Sequence, residues 1–265
     1  MPPTPDPAAL HQAFAATHPV DWGDAPLSTA EITRLHGARA TQRSLQLLDQ
    51  ATAVEPTVTG QFLDSLPPGT TPYQLARRVK SPESLARKLV DWEKMKNRFP
   101  VDDVLRYTVL AESPDELVAA ARRTADALTD QGWKVRYAMH SYTAGSRYKG
   151  VHTNLLVPGA LRVEVQIHSV ASAEVKELTT RWYQIERSAT ASAEERAMAR
   201  LQCVEASAGL VQPRDIDGMT RLGGKRVAVN NYSDSRAATA DQATTASPRT
   251  STHSTTLHKN GGIAR

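Results

Sequence analysis

The sequence predicts an α/β (α+β) fold with a mixed sheet of four to five strands and flanking helices. Helix and strand signals alternate between residues 81 and 208, which is the first observation behind this class. The second is size, since 265 residues with 40% hydrophobic content suffice for one sizeable core. We therefore expect one main domain with accessory segments at its two ends.

The N-terminal region is predicted to be helical. Residues 8–17 form a short candidate helix, and Ser28-Thr29-Ala30-Glu31 is a capping box that begins a longer helix to about Ala51. A Pro/Gly-rich joint at residues 66–69 separates this region from the middle of the chain.

The middle of the chain alternates between the two element types. Ser81-Pro82 begins a predicted helix that reaches about Arg98, and Ser113 caps a second helix that ends at Gly132. Strands are predicted from β-branched, aromatic or alternating residues at 103–110, 133–139, 151–157 and 161–168. Helices at about 171–187 and 193–208 complete the predicted domain.

From about Leu222 onward the chain is rich in Ala, Thr and Ser, a composition that buries too little apolar surface to fold. We therefore predict three parts, which are a helical segment at 1–66 packing on the core, a domain at 67–221 and a disordered basic tail at 222–265. If this tail is a passenger, truncation after Arg221 leaves activity intact.

The net charge of +4 also lies in the tail. Residues 222–265 contain six Lys or Arg and two Asp, which leaves 26 basic and 26 acidic residues in the rest of the chain. Because DNA-binding domains usually carry a basic face, this neutral body argues against DNA as a partner.

Composition also bears on the compartment. No apolar run approaches the roughly 18 residues of a membrane-spanning helix, which argues against a membrane partner. The first residues show no signal peptide, which is compatible with a secreted protein in its trimmed form and with a cytoplasmic protein as the alternative. A single Cys203 excludes a disulfide framework within the chain.

Polar side chains share one face of the last predicted strand. Glu164, Gln166 and His168 lie two residues apart, so they point one way while apolar neighbours point the other. Such a row is often simply solvated. Asp103 begins another predicted strand, and two carboxylates from neighbouring strands can hold Mg²⁺. The row is therefore either a solvated face or half of a magnesium site.

A second cluster surrounds the start of the helix at Pro82. Ser84 and Lys88 are four residues apart on one helical face, and Arg78 and Lys80 precede the helix N-terminus, which favours anions. The cluster fits a polyphosphate, although a solvated basic helix face has the same spacing.

The third cluster is the Gly-bracketed loop at 145–153. Tyr148 in such a loop is either an exposed platform on which a nucleobase stacks or a packed residue of a hairpin loop. His152 is either a contact for the ligand or a hydrogen-bonded structural histidine.

The three clusters, taken in this order, resemble the synthetase domain of RelA/SpoT-type enzymes, the alarmone-making nucleotide pyrophosphokinases. The resemblance covers about residues 73–187. The motifs that carry it are Arg78-x-Lys80-x-x-x-Ser84-x-x-x-Lys88, Asp103 at the head of a strand, Tyr148-x-Gly150-x-His152-Thr153, and Val163-Glu164-Val165-Gln166-Ile167.

This resemblance implies a nucleotidyltransferase-like synthetase fold and transfer of the β,γ-pyrophosphoryl group of ATP to a nucleotide 3′-hydroxyl. By analogy, Asp103 and Glu164 would carry Mg²⁺, and Glu164 would be the base. The implied ATP-binding residues are Arg78, Lys80, Ser84 and Lys88. The implied acceptor-binding residues are Tyr148, Lys149, His152, Gln166 and His168.

The chain departs from the family pattern at two places. Thr108 stands where the family usually has an Arg, with Arg106 two residues earlier, and His168 stands where an Arg often follows Gln-Ile. These changes bear on the donor and acceptor contacts rather than on the reaction type.

Within the family, the chain is most similar to small secreted ATP nucleotide 3′-pyrophosphokinases, which implies ATP as donor and several purine nucleotides as acceptors. Synthetases specific for GDP or GTP, and members that act on the tRNA 3′ end, are the alternatives. The neutral body argues against tRNA. A nucleotide-binding domain without activity is the non-enzyme alternative, and the sequence does not indicate an oligomeric state.

Overall fold

Residues 5–23, 26–94, 103–159, 162–188 and 190–232 are described by the computed structural model of the protein. They form eight α-helices around a seven-stranded mixed sheet, which confirms the predicted α/β class. No helix among these residues is long and apolar enough to cross a membrane.

Four helices lie before residue 66, and the other four are interspersed with the strands farther along the chain. Their bounds are α1 (Pro7–Ala15), α2 (Thr29–His36), α3 (Ala38–Thr52), α4 (Glu55–Asp64), α5 (Pro82–Lys94), α6 (Leu117–Asp130), α7 (Val170–Arg187) and α8 (Ala193–Ala208). Capping boxes begin α2, α7 and α8, at Ser28, Ser169 and Ser192.

The sheet has the strand order β1-β2-β5-β4-β3-β7-β6. Its strands are β1 (Thr70–Pro72), β2 (Leu105–Ala111), β3 (Lys134–His140), β4 (Val151–Leu156), β5 (Arg162–Ser169), β6 (Arg221–Leu222) and β7 (Lys225–Val229). The pairs β2–β5 and β3–β7 are parallel, and the other neighbours are antiparallel.

Two N-terminal elements differ from the prediction. The single long helix expected from Ser28 to Ala51 is two helices, because Gly37 has a positive φ of 82° that interrupts the helical backbone. The helix α4 was not predicted, and it matters for the site because it supplies the buried Glu55. The predicted end of α5 near Arg98 lies outside the described residues.

The start of the predicted disordered tail is corrected by β6 and β7. Leu222 and Val227 are buried in the main core, and β7 pairs with β3 along Ala138, Met139 and His140. These strands, with β1, account for the excess over the four to five strands predicted. Residues 233–265 of the predicted tail lie outside the described residues, and the rest of the domain division stays a prediction.

One hydrophobic core unites the sheet with the helices. Apolar side chains of β5, such as Val163 and Val165, lie in the same buried cluster as Leu117 of α6 and Phe14 of α1. Because strand residues alternate, the burial of this face turns Glu164 and Gln166 toward the other side of the sheet. That side carries the candidate site.

Candidate active site

Two adjoining cavities lie on the polar side of β5. The larger one, about 870 Å³, is called the charged cleft here, and its lining includes Lys80, Ser84, Arg87, Lys88, Asp103, Arg106, Glu164 and Gln166. The smaller one, about 380 Å³, is called the aromatic pocket, and its lining includes Arg147, Tyr148, His152, Lys176 and Tyr232. Arg106, Gln166 and Tyr183 line both cavities, so the two share a wall.

Asp103 is held between two lysines of the charged cleft. Its Oδ2 lies 2.9 Å from Nζ of Lys80, and its Oδ1 lies 2.7 Å from Nζ of Lys88. Lys80 is brought there because its backbone N–H donates to the carbonyl of Val104, at an N–O distance of 3.0 Å. Burial lowers the pKa of Lys80, and the negative charge of Asp103 opposes that shift.

Arg78 is a correction to the predicted ATP-binding set, because its side chain is completely buried. The guanidinium pairs with Glu55 and donates from Nη2 to the carbonyl oxygen of Phe14 at 2.9 Å. Arg78 has a helical backbone at the end of a 3₁₀ turn. The rule that side chains two residues apart point the same way holds only in strands, so it does not place Arg78 on the same side as Lys80. Its neighbour Arg77 lines both cavities instead.

Glu164 lies opposite Arg106 in the parallel pairing of β2 with β5. Its Oε1 accepts hydrogen bonds from Nδ1 of His152 at 2.9 Å and from Nε2 of Gln166 at 3.0 Å. Burial alone would raise the pKa of Glu164, but these hydrogen bonds and the charge of Arg106 lower it overall. The carboxylate is therefore ionised at neutral pH.

Tyr148 is partly buried in its loop and also lines the aromatic pocket. Its hydroxyl donates to Nε2 of His168 at 2.6 Å, and Nδ1 of His168 donates to Oγ of Ser172 at 3.1 Å. Burial lowers the pKa of His168 well below its usual range, so the ring is neutral and can accept the tyrosine proton. The ring of His152 lies edge-on to Tyr148, with centroids 5.2 Å apart.

Most of the predicted site residues line one of the two cavities, namely Lys80, Ser84, Lys88, Asp103, Tyr148, His152, Glu164 and Gln166. His168 is a correction, because it is fully buried behind Tyr148 and supports that ring instead of facing the pocket. Lys149 lines neither cavity. The binding roles of the lining residues stay predictions.

Several residues of these walls were not predicted as site residues. Lys176, Thr180 and Tyr183 share one face of α7 at spacings of four and three, a pattern that the sequence shows but that has no distinguishing chemistry. Tyr232 comes from the region predicted to be disordered, so no local pattern indicated it. Arg106 was noted only as a departure from the family pattern.

The residues present fit a magnesium ion that is shared with a substrate. Among the described residues no three acidic, histidine or cysteine side chains form a metal cluster. Asp103 and Glu164 nevertheless line the same charged cleft. Two carboxylates are a sufficient protein contribution for Mg²⁺ when phosphate oxygens complete its ligand set.

Solved structures are the known proteins to which this chain is similar. No family model matches the sequence, and no curated protein matches it either. Similar folds are found in the Type VI effector Tas1 (TM-score 0.38, 14% identity, 64% of this chain and 94% of that chain) and small alarmone synthetase 2 from Bacillus subtilis (0.40, 14%, 61% and 90%). A GTP pyrophosphokinase family protein from Streptococcus pneumoniae also matches (0.35, 12%, 60% and 84%).

Two of these three are, by their names, of the synthetase family that the sequence motifs resemble. Identities of 12–14% and TM-scores no higher than 0.40 carry no argument about activity. The proposal below therefore rests on the side chains of the two cavities.

Proposed function

We propose that the protein is an ATP:nucleotide 3′-pyrophosphokinase. It would transfer the β,γ-pyrophosphoryl group of ATP to the 3′-hydroxyl of a purine nucleotide and release AMP. The observation that supports this most is the wall shared by the charged cleft and the aromatic pocket, which contains Arg106 and Gln166. Transfer between two nucleotides needs two adjoining sites, and two cavities with a common wall support this proposal.

ATP is the expected occupant of the charged cleft. Lys80 and Lys88 already bind one carboxylate, that of Asp103, and ammonium groups bind phosphate oxygens in the same way. Ser84 lies in the first turn of α5, where backbone N–H groups also favour anions. The cleft therefore offers ammonium groups and backbone N–H groups to phosphate oxygens.

The acceptor nucleotide is the expected occupant of the aromatic pocket. Tyr148 offers an aromatic wall for the base, and Arg147 and Lys176 offer positive charge for the phosphates. Because Tyr148 is held by His168, the wall is already fixed before a ligand enters. Preorganisation of this kind lowers the cost of binding.

Glu164 and Asp103 are the residues that would hold Mg²⁺. The bound ion would neutralise charge on the phosphates of ATP, which is the main requirement of phosphoryl-type transfer. The lowered pKa of Glu164 keeps its carboxylate ionised, which suits a metal ligand, and the same property makes it a weak base. Its hydrogen bond to His152 connects the magnesium site to the acceptor pocket.

The proposed reaction is a single displacement at the β-phosphorus of ATP. The acceptor 3′-oxygen forms a bond to the β-phosphorus of ATP, and the bond from that phosphorus to the oxygen bridging the α- and β-phosphates breaks. AMP leaves with that oxygen, and the 3′-hydroxyl proton passes to solvent, because the lowered pKa of Glu164 makes its carboxylate a poor acceptor.

Incubation of the purified protein with Mg²⁺ and γ-labelled ATP tests the proposal. The labelled ATP is supplied alone or with AMP, GDP, GTP or tRNA, and products are separated by chromatography. Release of AMP with label on a second nucleotide supports the proposal. Label on GDP and GTP only would indicate an alarmone synthetase, label on tRNA only a tRNA-modifying enzyme, and nucleotide binding without AMP a binding domain.

A pair of lysine variants provides the matched control. Lys88→Met removes one charge from the cleft and should lower kcat/KM for ATP by about 10–100-fold, the size of a lost charge-assisted hydrogen bond. Lys134→Met makes the same change at an exposed position on β3 and should leave kcat/KM unchanged. Equal effects of both changes would contradict the placement of ATP.

A further inference from the structure

The segment at residues 225–232, called the C-terminal strap here, is attached firmly to the sheet. Its strand β7 pairs in parallel with β3, and Val227 is buried in the main core. At the preceding turn, Gly223 has a φ of 50°, and a Cβ built there would lie 2.2 Å from Cγ2 of Val135. The turn therefore requires glycine, which fixes where the strap begins.

The end of the strap is bound to the loop that carries Tyr148. The backbone N–H of Asn230 donates to the carbonyl of His140 at 2.9 Å, which extends the pairing with β3 by one residue. Nδ2 of Asn231 donates to the carbonyl of Ala144 at 3.1 Å, and the N–H of Tyr232 donates to Oγ of Ser146 at 3.4 Å. These contacts hold Tyr232 against the loop that carries Tyr148.

The ring of Tyr232 completes one wall of the aromatic pocket. Its plane is almost perpendicular to that of Tyr148, at 89° with centroids 5.8 Å apart. Burial raises the pKa of Tyr232 to about 12, so its hydroxyl is neutral under physiological conditions. The ring faces a cavity of about 380 Å³, a volume in the range of small-ligand sites.

The wall of the aromatic pocket has two parts, one aromatic and one positively charged. Tyr148 and Tyr232 form an aromatic corner, whereas Arg106, Arg147 and Lys176 supply positive charge. A nucleotide has the same two parts, a flat aromatic base and an anionic phosphate end. Two perpendicular rings can contact a flat base on its face and on its edge, which one ring cannot do.

We propose that Tyr232 is a specificity-determining residue of the acceptor site, where its ring and that of Tyr148 form the corner that receives the purine base. This inference rests on the proposed function, because it assigns the aromatic pocket to the acceptor. The strap is thereby part of the binding site, and the chain is catalytically complete only if it extends through Tyr232.

Kinetics with ATP as donor and GDP as acceptor test the inference. Tyr232→Ala should raise the KM for GDP by about fivefold or more, since stacking on an aromatic side chain contributes at least that much to affinity. The KM for ATP should change less than twofold. Tyr232→Phe keeps the ring and should restore the KM for GDP, which distinguishes a binding role from a structural one.

Two controls isolate the ring from the strap. Val229→Ala changes an exposed residue of β7 and should leave the KM for GDP unchanged. A chain ending at Ser233 keeps the whole strap and should bind GDP normally, whereas a chain ending at Arg221 should lose GDP binding. An unchanged KM for GDP in Tyr232→Ala overturns the inference while leaving the pyrophosphokinase activity standing.

Equilibrium dialysis with labelled GDP separates the two proposals. If the wild-type protein forms no product but binds GDP, and Tyr232→Ala weakens that binding about fivefold or more, the assignment of Tyr232 survives and the proposed reaction fails. If the wild-type protein binds neither GDP nor any of the other purine nucleotides, both proposals fail.

Discussion

The charged cleft and the aromatic pocket share a wall but are built in different ways. In the cleft, Lys80 and Lys88 both form short ion pairs with Asp103, which leaves one positive charge in excess. In the pocket, Tyr148 and His168 are joined by a hydrogen bond between neutral groups, and His168 is fully buried. The phosphate-binding part of the cleft is therefore built from ion pairs, and the aromatic wall of the pocket from hydrogen bonds between neutral groups.

This difference indicates how each cavity would respond to a ligand. Ion pairs in the cleft can exchange a carboxylate for phosphate oxygens, because both present the same charge to an ammonium group. The Tyr148–His168–Ser172 chain offers no such exchange, since each of its polar groups already has a partner. Substitutions of the cleft lysines should therefore change the affinity for ATP, and substitutions along the Tyr148–His168–Ser172 chain should change the geometry of the pocket and the stability of the protein.

Glu164 lines the charged cleft and is hydrogen-bonded to His152 of the aromatic pocket, so its loss should produce the largest effect on the reaction. Glu164→Gln keeps the shape but removes the charge, and kcat should fall by about 10²–10⁴-fold. Binding of GDP should persist, because the aromatic corner is unchanged. Initial rates of AMP release and dialysis with labelled GDP measure the two quantities.

Glu112→Gln is the matched control, since it makes the same change at an exposed position that directly follows β2. It should leave the rate of AMP release unchanged. Near-normal turnover by Glu164→Gln would remove the basis for assigning Glu164 to the reaction centre.

Arg78→Met should have the next largest effect, and on stability rather than on substrate affinity. The substitution leaves Glu55 as a buried carboxylate without its cation, which typically costs about 3–5 kcal/mol. Urea unfolding measures the change in the free energy of unfolding. Lys80→Met, two residues away, should raise the KM for ATP and destabilise far less, because Asp103 keeps its pair with Lys88.

Equal losses of stability in the Arg78 and Lys80 variants would show that the two positions do not differ as the structure indicates. A rise in the KM for ATP in a folded Arg78→Met protein, without loss of stability, would restore Arg78 to the donor site.

The contrast between these two residues also shows how far the sequence could predict the site. Ser84 and Lys88 were predicted because helical spacing alone puts them on one face. Arg78 was misplaced because its partner Glu55 lies 23 positions earlier, on a helix that was not predicted. A local pattern cannot report a partner so distant in sequence.

The same limit applies to the strands. Alternation along β5 correctly put Glu164 and Gln166 on one polar face of the strand, and His168 lies on the same face. At His168, however, the loop carrying Tyr148 covers that face, so the side chain of His168 is buried and does not reach the cavity. Tyr232 was missed for a related reason, since its place depends on the pairing of β7 with β3.

Gly150→Ala tests the rigidity of the aromatic pocket and should have a moderate effect. A Cβ at Gly150 would lie 2.7 Å from Cε1 of His168, whose ring cannot turn away because Tyr148 and Ser172 hold it. Overpacking of this kind costs about 1–3 kcal/mol. The melting temperature should fall and the KM for GDP should rise, while the KM for ATP stays the same.

Gly60→Ala is the control for this change. Gly60 lies within α4 with no atom near the added methyl group, so alanine should stabilise the protein by about 0.5–1 kcal/mol. If both variants lower the melting temperature equally, the contact with His168 does not explain the effect of Gly150→Ala.

The smallest predicted effect is a pH dependence that belongs to the pocket alone. Burial, with the positive charge of Arg106, lowers the pKa of Lys176 to about 8. Lys176 is therefore charged below pH 8 and loses its charge as the pH rises through that value, so phosphate binding should weaken. At pH 9 only about one-tenth of the free protein carries this charge, and the KM for GDP should rise up to about tenfold relative to pH 7.

Lys176→Arg keeps the charge throughout this range and should flatten the dependence of the KM for GDP on pH. A rise of equal size in both proteins would trace to the nucleotide or to another group, and the aromatic pocket would then bind its ligand by shape with no contribution from Lys176.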